Sequence, residues 1–253
     1  MKKIGIIVLV ICFMLAGCKT VKEDSKQEVY KSEEERIYAE LNHVPWKNAY
    51  ANFILDDIKE RKEKYEANPE KYEYKLVNID GDKIPDLYIN YSCYAEGGML
   101  CSFQEDTVIS QNVGWYGMYY IEGKNLVLDS SGHMDNYWDV VYSIEDGVFN
   151  VKGSGCYGAE DNSNVQYDED GCPIYEFYWN EVEQLGYEDY EEKMNEVYDL
   201  EKSISPYKDA RFDTESGRYI EGGICNFEEI IMEIADYRND GKNTKSRSLE
   251  TEF

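Results

Sequence analysis

Between Tyr74 and Tyr91 two runs of aromatic and aliphatic residues flank an acidic turn, Asn78-Ile79-Asp80-Gly81-Asp82-Lys83-Ile84-Pro85-Asp86. Apolar runs that alternate on either side of a short polar break read as paired strands rather than a helix. The pattern then repeats. Met118–Leu128, Val140–Val151 and Asn164–Phe177 each hold an apolar run, an acidic turn with glycine, and a second apolar run. Glycine is suited to such turns because tight hairpins demand positive φ. A chain built this way has few options beyond consecutive antiparallel hairpins. The pattern predicts an antiparallel meander or, as an alternative closure, a propeller- or barrel-like arrangement. Further strands are expected at Met99–Gln104, Thr107–Gln111 and Tyr116–Ile121.

Helical periodicity brackets this region. Pro45 suits the first helical position, and Trp46, Ala49, Tyr50, Phe53, Ile54 and Ile58 then form one stripe, up to a stop at Asn68-Pro69. Near the C-terminus, Tyr187, Tyr190, Met194, Val197 and Tyr198 keep helical spacing within Tyr187–Lys202. Asn226 with Glu229 has the form of a capping box ahead of Phe227, Ile230, Ile231, Ile234 and Ala235. The fold class is therefore α+β. The expected organisation is a leader over 1–17, a polar tether over 18–34, one domain over 35–237 and a disordered tail over 238–253.

The leader carries its own chemistry. Lys2 and Lys3 precede the apolar run Ile4–Met14, which is well short of the ~20 residues a spanning helix needs. That length suits a signal-peptide core. Leu15-Ala16-Gly17-Cys18 follows and resembles the lipobox of bacterial lipoproteins, which implies lipidation of Cys18 and attachment to the cell membrane on its extracytoplasmic face. Two or more acyl chains make such an anchor stable.

Acidic side chains number 52 against 26 basic ones, and the formal net charge is −26. That excess opposes nucleic acid as a partner and favours cations or basic groups. The 24 tyrosines suit antiparallel sheets with one wet face, and also glycan or peptide contacts. Besides Cys12 and Cys18 the cysteines are Cys93, Cys101, Cys156, Cys172 and Cys225, an odd set. An extracytoplasmic location permits disulfides. A hairpin turning about Gly97 would set Cys93 opposite Cys101. Their spacing matches no zinc site.

The acidic turn is the candidate ion site. Asn78, Asp80 and Asp82 occupy loop positions one, three and five. Ile84 would supply its carbonyl at seven and Asp86 its carboxylate at nine, a hard-oxygen set suited to Ca2+. Ile89 stands where an EF-hand needs a bidentate Glu, and a strand follows where that motif has a helix. The turn instead resembles the short calcium loops between strands of FG-GAP and related propeller repeats. It is also similar to the acidic turn of a group of uncharacterised lipoproteins from Gram-positive bacteria. The Trp46/Ala49/Tyr50 helix, the tyrosine-rich meander and the stretch Phe177–Val197 carry that second resemblance over most of 35–237. It implies a fold and a surface location and no activity. Asn78 in place of Asp and Lys83 in place of Gly both depart from the pattern and weaken the site.

Catalytic signals are sparse. His43 precedes a helix start. His133 lies in Ser130-Ser131-Gly132-His133-Met134-Asp135, too short a stretch to build a triad, whose members usually converge from different elements. There is no phosphate loop and no zinc-protease motif. The expectation is a lipid-anchored module that binds a protein or glycan ligand. The alternative is an extracytoplasmic hydrolase acting on cell-wall glycan or peptide with paired carboxylates.

Overall fold

Two helices lead into the sheets, α1 (Glu33–His43) and α2 (Pro45–Tyr65). The computed structural model describes residues 32–65, 68–91, 96–114, 118–180, 183–206, 211–213, 218–220 and 225–238. The leader, Cys18, Cys93 and the tail beyond 238 lie outside these residues, as does the tether up to residue 31. The last residues assigned to the tether open α1 instead, because the Ser32 side chain accepts from the Glu35 N–H and caps the helix there.

The strands form two meanders rather than one. β1 (Glu73–Val77), β2 (Asp86–Asn90), β3 (Gly98–Gln104) and β4 (Thr107–Val113) make a four-stranded sheet in chain order. β5 (Met118–Ile121), β6 (Leu126–His133), β7 (Asn136–Glu145), β8 (Val148–Gly158), β9 (Glu176–Trp179) and β10 (Glu183–Leu185) make a six-stranded sheet, again in chain order. Every pairing within them is antiparallel. Both sheets are open, so among the described residues the meander closes into neither a barrel nor a propeller. The small hairpin β11 (Arg211–Asp213) and β12 (Arg218–Ile220) stands apart from them.

Alternation along the strands sorts side chains into layers. Leu87, Ile89 and Cys101 point to a cluster with Trp46, Tyr50, Ile54, Ile230, Ile231 and Ile234 from the helices. Their neighbours Tyr88 and Leu100 point the other way, to Met118, Tyr120, Val127 and Ile144 of the larger sheet. Leu128, Val141 and Trp179, on the far face of that sheet, meet Tyr190, Met194 and Tyr198. The order through the molecule is helices, small sheet, large sheet, helix. The outer helix is α3 (Tyr187–Val197), and α4 (Phe227–Asp236) packs with α1 and α2 on the opposite side.

Helix α4 has the expected capping box, with Asn226 accepting from the Glu228 and Glu229 N–H groups. Ile230, Ile231 and Ile234 are fully buried, each worth about 1.5–3 kcal/mol in transfer free energy. Lys47 Nζ donates to the Ala235 carbonyl at 2.7 Å, where a cation favours the negative end of the helix dipole. The chain's later segments also lace onto sheet edges, Cys225 bridging to Tyr74 and Ile204 to Tyr120. No helix among the described residues is long and apolar enough to cross a membrane.

Three expectations need correction. The Asn164–Phe177 hairpin is reduced to a turn with a single bridge, Tyr167 to Pro173. Pro173 has no N–H to give a ladder, and Ile174 is exposed, so nothing draws the run onto a core. The helix expected over Tyr187–Lys202 ends at Val197, where Asp199 caps a separate short turn, Leu200–Lys202. The β2–β3 register pairs Asn90 with Gly98 and Leu87 with Cys101, so the hairpin does not turn about Gly97. Cys101 is a buried thiol, and the expected partner Cys93 lies outside the described residues.

Candidate functional site

The acidic turn lies at the joint between the sheets. The Asn78 carbonyl accepts from Gly123 N–H and the Ile79 carbonyl from Asn125 N–H, both in the β5–β6 turn. Gly81 adopts φ 77°, and a Cβ there would approach the Gly123 carbonyl oxygen to 3.1 Å. Glycine is required by the conformation and by the contact. The loop's carboxylates serve its own backbone. Asp80 Oδ1 accepts from Asp82 N–H at 3.0 Å, Asp82 Oδ1 from Ile84 N–H at 2.6 Å, and Asp86 Oδ2 from Ile79 N–H at 3.0 Å. Gln104 Nε2 reaches Asp80 Oδ2 at 3.3 Å.

Asp86 is 1% exposed. Burial pushes its carboxyl up to about 7, with the charges of Asp80 and Asp82 adding to the rise and the Ser102 and Ile79 hydrogen bonds opposing it. The expected ion ligands Asn78, Asp80, Asp82, Ile84 and Asp86 thus share one turn, in which one oxygen of each carboxylate accepts from a backbone N–H group. Among the described residues no group of three His, Cys, Asp or Glu side chains is placed to hold a metal ion.

A second location went unnoticed in the sequence. It lies on the far face of the large sheet, under α3. Tyr137, Tyr157 and Phe177 are direct cross-strand neighbours on β7, β8 and β9. Their rings stack at centroid distances of 5.0 and 5.3 Å, the spacing of adjacent strands. Beside this ladder runs a trench of small residues. A Cβ on Gly155 would come within 2.4 Å of the Tyr190 hydroxyl, and one on Gly153 within 2.7 Å of the Trp179 ring. The two glycines therefore open the sheet surface so that Tyr190 can reach down from α3.

At the bottom Tyr190 donates to Asp139 Oδ2 at 2.7 Å, and Ser130 donates to Asp139 Oδ1. Both oxygens of this buried carboxylate are engaged. Burial and the Asp139 charge hold the Tyr190 phenol far above its ordinary range. Tyr187 donates to Glu191 Oε1 at 2.5 Å, and Tyr175 to Asp135 Oδ1 at 2.6 Å.

The result is a cleft of about 770 Å3, within the usual range of small-ligand sites. Its walls are aromatic, from Tyr119, Tyr157, Tyr175, Phe177, Tyr187 and Tyr190, with Leu128, Met194 and Leu200 between them. Its polar lining is Ser130, Ser203, Ser205, Asp139 and Glu191, and among the described residues no histidine, cysteine, lysine or arginine joins it. Ser130, His133 and Asp135 do not converge. Ser130 bonds to Asp139, Asp135 accepts from Tyr175, and His133 is exposed at the end of β6. Strand pairing signals could have found the ladder, since tyrosine and phenylalanine sit at matching positions of three strands. That match becomes visible only once the registers are known.

Compared with protein-family models, curated proteins and solved structures, the chain matches none.

Proposed function

We propose that this chain is a lipid-anchored extracytoplasmic binding module, and that the aromatic cleft under α3 is its ligand surface. The cleft carries the reading. It has ligand size and a wall of rings, its most buried carboxylate has both oxygens occupied by hydroxyl donors, and among the described residues its lining holds no histidine, cysteine or lysine. Such a site is equipped to hold rather than to transform. Support for the anchor comes from the leader and from Leu15-Ala16-Gly17-Cys18, with Cys18 as the lipidated residue. Tyrosine-rich meanders of this kind are also what the resemblance to Gram-positive lipoproteins implies.

A weak structural calcium role for the 78–86 turn belongs to the same proposal. Three carboxylates within one turn support it, and a cation would offset the burial, and the lesser Asp80 and Asp82 charges, that raise Asp86. Lys83 and the backbone bonds to those carboxylates oppose it, which places any affinity at or below that of extracellular calcium modules, about 10⁻⁴–10⁻³ M.

The second reading, a hydrolase acting on cell-wall glycan or peptide, draws on Asp139 and Glu191 lining one cleft. The two readings separate on one experiment. The full-length chain in neutral detergent is incubated with cell-wall fragments released by a muramidase, and binding and product are both measured. Binding that Phe177→Ala abolishes, without new products, is the expected result. Turnover lost in Glu191→Gln would replace the binding reading with the enzymatic one. Mass spectrometry of membrane-extracted protein tests the anchor, and an uncleaved, unmodified N-terminus would refute it.

A further inference from the structure

We infer that the cleft under α3 recognises a ligand bearing a primary ammonium group; the inference rests on the cleft being the ligand surface. The argument is a count of protons. Tyr175, Tyr187 and Tyr190 each donate their single hydroxyl proton to a carboxylate, of Asp135, Glu191 and Asp139 respectively. Ser130 likewise gives its proton to Asp139. A phenol whose proton is committed keeps only acceptor lone pairs. These four hydroxyls accept and do not donate, beside the remaining hydroxyls of Tyr119, Tyr157, Ser203 and Ser205.

An acceptor wall discriminates among ligands. A carboxylate or phosphate would face the Asp139 and Glu191 carboxylates and the engaged phenols, and among the described residues no basic side chain lines the cleft to neutralise it. A neutral hydroxyl can donate here, but it brings no charge to meet Glu191 and Asp139. An ammonium has three donors and no acceptor, so every one of its polar needs can be met. Aromatic rings attract the same cation through their negative faces, and phenols hydrogen-bonded to carboxylates carry extra electron density. Glu191 is half-buried in the lining of the cleft and supplies formal charge. At −26 the molecule as a whole also gathers cations toward its surface.

Titration of the full-length chain in neutral detergent with 1,5-diaminopentane and with 1,5-pentanediol tests this, since the two probes share a chain and differ in their end groups. Binding is followed by perturbation of the aromatic NMR signals. The diamine is expected to bind saturably and the diol to bind at least roughly tenfold more weakly. Glu191→Gln keeps an acceptor for Tyr187 but removes the charge, and is expected to weaken diamine binding roughly tenfold. An unchanged far-ultraviolet spectrum and melt confirm that the variant folds. Equal binding of both probes, or an unaltered diamine affinity in folded Glu191→Gln, overturns the inference. If neither probe binds but cell-wall fragments still do, the ammonium inference falls and the binding reading stands. If neither probe nor fragments bind, both fall.

Discussion

Tyr190 on α3 donates its phenolic proton to Asp139 on β7 at 2.7 Å, joining residues 51 apart in the chain. This bond seats the outer helix on the large sheet and shapes the floor of the cleft. Tyr190→Phe removes the donor and leaves Asp139 Oδ2 buried without it. Net hydrogen bonds to charged groups are worth about 1.5–3 kcal/mol, so urea unfolding should show a loss of that size. Gly155→Ala forces a methyl against the Tyr190 hydroxyl and the Trp179 ring, and overpacking should cost about 1–3 kcal/mol. Both variants perturb the same contact, so their combined cost should fall short of the sum.

The buried Asp86 makes stability depend on pH. Its carboxyl is raised to about 7 in the folded chain, against ~3.9 in an unfolded one. The folded state therefore binds this proton more tightly. The stabilisation is fully present below about pH 4 and is lost as pH rises toward 7. Asp129 acts in the same direction, its carboxyl raised to about 6 by burial first and by the Asp139 charge. Melts across pH 4.5–8 should show stability falling with pH once the lowered carboxylates, such as Glu33 beside Arg36, are ionised. Asp86→Asn should flatten that fall, and an unchanged slope in the variant would remove Asp86 as its cause.

Calcium is testable by linkage. At a concentration ten times Kd, a ligand specific for the folded state contributes about 1.4 kcal/mol. A melt of the full-length chain with several millimolar Ca2+ should rise against one with chelator, and Asp80→Asn should reduce the rise. No shift up to 10 mM Ca2+ would remove the ion from the proposal.

Thiol chemistry separates the cysteines. Cys156 and Cys172 are exposed, whereas Cys101 is fully buried and its thiol is pushed well above its ordinary range by burial. Iodoacetamide at pH 8 should label Cys156 and Cys172 quickly and Cys101 only after unfolding. Rapid labelling of Cys101 in the native protein would contradict its place between β3 and the helices.

Much of the architecture could be read directly from the chain. Pro45 at a helix start, the Asn226–Glu229 box, and the Glu145-Asp146-Gly147 turn are local signals, and each appears where its chemistry demands. The β6–β7 turn was missed because Met134-Asp135 lacks glycine, although both residues take positive φ, 51° and 59°. That turn occupies the stretch that superficially offered serine, histidine and acid. The Asn164–Phe177 hairpin was over-read because alternation says nothing about whether a core is present to receive it.

What the sequence determined by itself is the order of strands, turns and helices, since hydrophobic period and turn residues act within a few positions of one another. The tertiary structure decided which faces meet. It divided one meander into two stacked sheets and turned the acidic loop into a joint between them. It also brought Tyr137, Tyr157 and Phe177 into one ladder beneath α3. Register and layer packing depend on contacts between distant residues, and pairs such as Tyr190 and Asp139 leave no mark in the local pattern of either.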